Sequence, residues 1–480
     1  MFCGCKKELD INQNPNEPSL GDGTPAVVFP IGVLATTGYV GGNLEIIGGM
    51  WSQFFTQSAN AQQYTDVDSY AIPNADLLLE LTWDNLYANG LENYQFVIES
   101  ADSAQDWMYY LMGTVMKAYT AEVLADVWDQ IPYSQALQGG DDQDPKFDSG
   151  HAVYEALLAS LDTALDKDLN APTNSTPTAS QDPLFAGNAG DWVAFANTLK
   201  LKMYLRMVNA YPAEAQAGVT ALVSGGATFL TMDASFTNFT DNPGLENPLY
   251  DENIREQNTN SNLRASTTLV SWLQANNDPR ITYFFGSTNP GSINQGDYHG
   301  SNPAYETAAV FVETPLDPVE FISAAESYFL QAEAAVRYFG GAGAQALYES
   351  GVTAAFNAVG MDAGPYIAPG GVYAWGAEVE GGKTLTPLQQ IIRQKWVSCV
   401  FGCHGLESFL EQNRTGFPLQ SPVYSTSGAY IPGQIVVAKN SVLPAGDLPR
   451  RLIFPQGEVG RNTNTPTTVP ENVPVWWGLQ

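Results

Sequence analysis

The chain has 480 residues with 51 acidic and 20 basic side chains, a formal net charge of −31. Apolar residues make up 44 % and aromatics 11 %, which excludes global disorder and supplies a large core. Lys and Arg are scattered, so the basic patch that nucleic acid or an anionic bilayer requires is missing, and nucleic acid is excluded as the main partner.

The N-terminus reads Met1-Phe2-Cys3-Gly4-Cys5-Lys6-Lys7. It resembles the end of a bacterial lipoprotein signal, with Gly4 at the small position before cleavage and Cys5 as the lipid acceptor. The charged and apolar segments that precede such a site are absent from the sequence. The polar, proline-punctuated run that follows suits an extended tether. Residues 1–20 are therefore expected to be a signal remnant, a lipidated cysteine and a tether, and residues 21–480 a single helical domain. The charge-free stretch 23–44 contains Pro25 and Pro30 with several glycines and threonines, and it reads as a loop and short helix, not a membrane span.

Helices are predicted at 44–59, 75–99 and 105–128, the last stopping before Pro132. Others follow at 151–166 and at 192–209, where two apolar stripes place the helix between neighbours. A helix at 266–275 precedes an alanine-rich pair, 321–339 and 345–358, joined by Gly340-Gly341-Ala342-Gly343. That pair has the size of a tetratricopeptide hairpin, without strict self-similarity. A last helix is predicted at 387–411. The loops 170–188, 229–263, 284–318 and 363–383 exceed the ~12–15 residues usual for purely structural connections. The segment 413–480 is expected to wrap over the helices and dock through Trp476 and Trp477.

No hydrolase, zinc or phosphate-loop motif is found, and His151, His299 and His404 are dispersed, so a catalytic or metal role is not expected. Asp141-Asp142-Gln143-Asp144 offers oxygen ligands for calcium but lacks a closing glutamate, so a solvated acidic loop is the stronger reading. Cys399 and Cys403, four apart on a predicted helix, are either bridged by a disulfide or two buried reduced thiols.

Several blocks in order resemble the SusD/RagB outer-membrane lipoproteins of Bacteroidetes, in particular the second SusD-like subgroup. Asp126-Val127-Trp128-Asp129-Gln130-Ile131-Pro132-Tyr133-Ser134-Gln135-Ala136-Leu137 resembles a family block in which glycine is usual at the position of Asp129. Trp192 with Ala196-Asn197-Thr198-Leu199-Lys200-Leu201-Lys202 and Asn277-Asp278-Pro279-Arg280 resemble two more. Ala325-Glu326-Ser327-Tyr328-Phe329-Leu330-Gln331-Ala332-Glu333-Ala334-Ala335 resembles a fourth. Gln394-Lys395-Trp396, Gly405-Leu406-Glu407-Ser408-Phe409 and Asn413-Arg414-Thr415-Gly416-Phe417-Pro418 complete the series.

The resemblance implies a mainly α fold of tetratricopeptide-like hairpins carrying a long-loop ligand face. It implies a lipid-anchored protein at the outer-membrane surface that is not an enzyme. Its partner would be a SusC-like TonB-dependent transporter, on which it sits as a lid delivering oligosaccharides, or alternatively peptides. The matched blocks themselves look structural, with Arg414 pairing to a carboxylate or carbonyls.

Sugar rings stack on aromatic faces and take hydrogen bonds at their rim, so the ligand is expected at loop aromatics. The candidates are Tyr64, Tyr70, Tyr298, Tyr305, Tyr373 and Trp375, with Asn294 and Gln295 as polar contacts. The tryptophans on predicted helices are assigned to the core.

Overall fold

The computed structural model describes residues 23–138, 144–300 and 302–479. Cys3, Cys5, the tether and residues 141–143 of the acidic loop lie outside the described residues. Thirteen helices of nine residues or more carry the described chain. They are α1 Pro25–Gly41, α2 Asn43–Trp51, α3 Leu77–Asn85, α4 Glu92–Ala104, α5 Trp107–Trp128, α6 Gly150–Leu165 and α7 Ala189–Arg206. Then follow α8 Pro212–Ser224, α9 Thr267–Ala275, α10 Ala324–Tyr338, α11 Ala344–Asn357, α12 Pro387–Ser398 and α13 Gly405–Thr415. Strands among the described residues form only short antiparallel pairs. The fold is mainly α, with sequential helices packed as tetratricopeptide-like hairpins: α4 on α5, α5 on α6, α7 on α8, and α10 on α11.

Helix starts follow local chemistry. Ser149 and Ser323 accept hydrogen bonds from the backbone N–H groups of Ala152 and Glu326, and Thr386 forms a capping box with Gln389 ahead of Pro387. Gly351 on α11 lies against the Phe329 ring of α10, where a Cβ would come within 2.6 Å of a ring carbon. That contact closes the predicted hairpin.

Four predicted elements differ, among them the helix expected over 44–59, which ends at Trp51. The stretch expected to be a loop and short helix is mostly α1, a 17-residue helix with Pro25 in its first turn, where proline costs little. Its Gly32 is a packing notch for the Tyr94 ring, and Thr36 bonds the Tyr94 and Thr120 hydroxyls at 2.9 and 3.0 Å. The glycines and threonines that suggested a loop thus serve close helix packing. Residues 25–51 are long and apolar enough to cross a membrane by length and composition; 56 % of their most apolar window is buried in this bundle, while Val27, Ile31 and Leu34 are exposed. The single helix expected over 75–99 is α3 and α4 joined by a π-helical turn, Leu86–Leu91.

The helix expected over 387–411 breaks into α12 and α13, with Gly402 and Cys403 at φ 75° and 53°. The break decides between the two readings of the cysteines in favour of buried thiols, since Cys399 and Cys403 are free and buried. Four-residue spacing brings two side chains together only on a continuous helix. Here Cys403 leaves that face and its Sγ meets the Asn247 amide nitrogen at 3.4 Å. Burial pushes both thiols well above the ordinary cysteine range.

The family-like blocks meet inside this bundle as a buried ion network. Arg206 on α7 bonds Asp126, Glu407 and Glu411 at 3.1, 2.6 and 2.6 Å. Lys395 on α12 reaches Glu407, Glu326 and Glu411 at 2.8, 3.3 and 3.4 Å. Lys202 spans Glu122 and Glu407. Arg414, as expected, pairs with carboxylates, Glu333 and Glu411, both at 2.6 Å, and also donates to the Leu205 carbonyl. The C-terminal segment wraps as predicted. Trp477 is fully buried, donates to Asp126 at 2.8 Å and lies under the Arg206 guanidinium.

Candidate ligand-binding face

Four segments meet at one loop face: residues 53–70, 263–268, 291–305 and 420–440. The predicted helix at 44–59 ends early, and β1 (Phe55–Gln57) pairs with β2 (Leu263–Ala265). Beneath the face lies Asp68, a fully buried carboxylate. It accepts from the Thr56 hydroxyl at 2.7 Å, the Gln57 N–H at 2.9 Å and the Gln295 amide at 2.7 Å. Desolvation outweighs these bonds and pushes its carboxyl up to about 6.

Gln295 also donates to the Met50 carbonyl and accepts from Ser266. Gln53 ties Thr268 to the backbone of Val436. Asn440 donates to the Gly296 carbonyl, and Tyr424 to that of Gln295, both at 2.7 Å. Long loops are therefore cross-linked into a rigid support.

Five of the six candidate aromatics are buried beneath or beside this face, which corrects their assignment as stacking platforms. Tyr64 and Tyr70 are 3 % and 2 % exposed, and Tyr70 packs edge-on against Trp51. Tyr298 and Tyr305 are 8 % and 4 % exposed, and the Tyr305 hydroxyl donates to Asp297 at 2.8 Å. Tyr373 is fully buried, stacked on Trp272, and donates to Asp278 at 2.7 Å; Asp278 in turn pairs with Arg280 at 2.6 Å. The Asn277-Asp278-Pro279-Arg280 block thus fixes a core tyrosine. A ring buried on both sides offers no face to a sugar.

Gln295 is buried as well, and its amide is spent on the support. Asn294 is half-buried, bridging the Tyr305 and Ser425 hydroxyls at 2.6 and 2.7 Å. Trp375 keeps a half-exposed ring but packs on Tyr348 with Tyr373, away from the Tyr298–Tyr305 loop in sequence and partners. Of the helix-borne tryptophans assigned to the core, Trp51, Trp83, Trp128, Trp192, Trp272 and Trp396 are buried, and Trp107 is half-buried under Lys167.

The rings that remain accessible at the face are Tyr424 and Tyr430, both half-buried, with Lys439 5.5 Å from the Tyr424 centroid. In the same segments Asn60, Gln62, Gln63, His299 and Thr426 are exposed and offer hydrogen-bonding groups. Sequence reasoning missed these tyrosines because it treated their segment as a wrap. The signal was present in Ser421-Pro422-Val423-Tyr424-Ser425-Thr426-Ser427-Gly428-Ala429-Tyr430, two tyrosines in a stretch with no helical or strand period.

A separate hollow of about 630 Å³ is lined by Trp83, Tyr87, Leu137, Glu458 and Arg461 among others.

These features coincide with a family assignment. The SusD-like family, described as starch-binding and associating with the outer membrane, matches residues 43–435, and the chain belongs to it. Solved structures share the fold. A SusD homologue from Bacteroides uniformis superposes with a TM-score of 0.75 at 21 % identity, covering 94 % of this chain and 99 % of that one. A chitin-binding SusD homologue from Flavobacterium johnsoniae gives 0.71 at 22 % identity, over 94 % and 98 %. A SusD homologue from Bacteroides vulgatus gives 0.69 at 21 %, over 91 % and 92 %. No curated protein matches the sequence significantly.

Proposed function

We propose that this protein captures oligosaccharides at the bacterial cell surface and hands them to a SusC-like TonB-dependent transporter, on which it acts as a hinged lid. SusD-like membership across residues 43–435 carries this reading, and the name of the chitin-binding relative is consistent with it. The loop face adds physical support. Tyr424 and Tyr430 are half-buried rings on a cross-linked polar bed, in segments that also carry exposed amides and hydroxyls. Binding to such a face needs no bond-making groups, so the protein acts as a receptor and not as a hydrolase. Cys5 is the lipid acceptor, and stable anchoring requires more than one acyl chain on it.

The test is calorimetry of neutral oligosaccharides against the wild-type protein and the Tyr424→Ala/Tyr430→Ala double variant. The expected result is binding by the wild type and a loss of ~10-fold or more in the variant, in line with aromatic hot spots. Binding of peptides but no glycan would replace the sugar reading. Purification from native membranes without a TonB-dependent barrel would remove the lid role.

A further inference from the structure

The hollow beside α3 has the character of a second ligand site with its own charge preference. Its volume, about 630 Å³, lies within the range of ligand pockets, ~300–1,000 Å³. One wall is apolar, built from Tyr87, Pro132, Leu137 and Pro145, and the Trp83 indole closes the floor. The Tyr87 hydroxyl donates to the Pro132 carbonyl at 2.8 Å, which fixes the ring across the gap between the π turn and the segment after α5. The floor carries Glu458, whose carboxylate accepts from the Trp83 indole at 3.2 Å and the Asn462 amide at 2.9 Å. A carboxylate has room for further donors beyond these two. Asp84 and Glu92 stand exposed on the rim.

The cationic side of this balance is thin. Arg461 is the cation in the lining, 76 % exposed and 3.9 Å from Asp84, a distance at which a solvent-facing pair is weak. Asp84 and Glu458 therefore share one loosely held guanidinium, while Glu92, also in the lining, acts electrostatically on Lys117. The rest of the surface does not compensate. Among the described residues Lys146, Lys383, Lys439 and Arg461 are the exposed cations, because Lys200, Lys202, Arg206, Lys395 and Arg414 are buried in ion pairs. An acidic polysaccharide meets repulsion here, while a protonated amine meets the Asp84 and Glu458 carboxylates against an apolar wall.

We infer that the hollow between the π turn and the Gln456–Arg461 helix binds amine-bearing sugars, the class of glucosamine oligomers, as a site distinct from the Tyr424–Tyr430 face. The ammonium lies by Asp84 and Glu458, displacing Arg461 outward, with Glu92 adding negative charge at the rim. The apolar face of the ring lies on Tyr87 and Leu137. Burial, with Asp84 nearby, already raises the Glu458 carboxyl above its ordinary range, so an arriving cation relieves an existing electrostatic cost. The sugar identity rests on the glycan reading of the protein; the cation preference rests on the hollow itself.

The experiment is calorimetry with four probes: a glucosamine tetramer, the N-acetylglucosamine tetramer, an oligogalacturonate and trilysine. Each is titrated into the wild type, Asp84→Asn/Glu92→Gln and Tyr424→Ala/Tyr430→Ala. Asp84 and Glu92 are exposed, so the first variant leaves the fold intact. The expected result is that the glucosamine tetramer binds about tenfold tighter than its acetylated form, and that this margin disappears in Asp84→Asn/Glu92→Gln but persists in the tyrosine variant. Equal affinity for the two tetramers in the wild type overturns the inference, as does a margin that survives loss of both carboxylates. Trilysine binding as tightly as the glucosamine tetramer overturns the sugar assignment. If neutral oligosaccharides bind the tyrosine face and the glucosamine tetramer does not bind the hollow, only this inference fails. If no glycan binds anywhere, the proposed function fails with it.

Discussion

Where α5, α7, α10, α12 and α13 meet, four buried cations (Lys202, Arg206, Lys395 and Arg414) share six buried carboxylates. At the loop face a single buried carboxylate, Asp68, is held without any cation, by a hydroxyl, a backbone N–H and a glutamine amide. Both regions bury polar groups, which is tolerable only when those groups are paired. The helical interior pairs charge with charge across five helices, so removing one member strands several others. The loop face distributes neutral hydrogen bonds among four segments, so each loss is smaller. This difference separates a region that sets whether the chain folds from one that sets the shape presented to a ligand.

The largest effect is expected at Arg414. Arg414→Ala leaves Glu333 and Glu411 facing each other without their shared cation, and breaking a buried pair in this way costs ~3–5 kcal/mol. Urea unfolding is the measurement. A loss below ~1 kcal/mol would erase the contrast between the two regions.

Gln295→Ala removes a neutral amide that supports Asp68, Met50 and Ser266, and is expected to cost ~1–3 kcal/mol, the desolvation penalty of groups left unpaired. It should also weaken binding at the proposed Tyr424 face, because the Gln295 side chain anchors the segment whose backbone carbonyl accepts from the Tyr424 hydroxyl. Stability and calorimetry on the same variant measure both.

Alkaline pH probes buried carboxyls outside the ion network. Burial pushes Glu378 up to about 8 and Glu471 up to about 7. Both therefore hold a proton in the folded chain that the unfolded chain releases above the ordinary carboxylate range. Their stabilising contribution is present at acidic pH and is lost as pH rises through 7 to 8. The melting temperature should fall between about pH 5 and 8, and Glu471→Gln, whose carboxylate oxygens have no hydrogen-bond partner, should flatten the part of that fall below about pH 7. An unchanged slope in Glu471→Gln would show that other groups govern the alkaline limb.

The smallest effect is expected at the rim. His299→Ala, at an exposed position on the loop face, should change stability by no more than ~0.5 kcal/mol. A larger loss would mean that the rim shares in the support beneath it.

The helical skeleton was legible because period and caps are local. The predicted helices at 105–128, 151–166, 192–209, 266–275 and 345–358 lie within a few residues of α5, α6, α7, α9 and α11. So were the C-terminal docking by Trp477 and the carboxylate pairing of Arg414. Local composition misled where a residue type has two uses. Glycine and threonine in 23–44 signalled a loop, yet Gly32 and Thr36 lie on a helix pressed against Tyr94. Aromatics in long loops signalled a ligand platform, yet a loop tied down at four points folds its tyrosines inward.

The sequence by itself determined the helical class, the family and the pairing chemistry of its motif residues, since these depend on periodicity and on residue types recurring in order. Tertiary structure alone decided that Cys403 leaves the Cys399 face at the α12–α13 break, that Tyr373 is held by Asp278, and that Tyr424 and Tyr430 keep an accessible ring. Those outcomes turn on which distant segment covers a side chain, and burial by a partner hundreds of residues away leaves no mark on the local pattern.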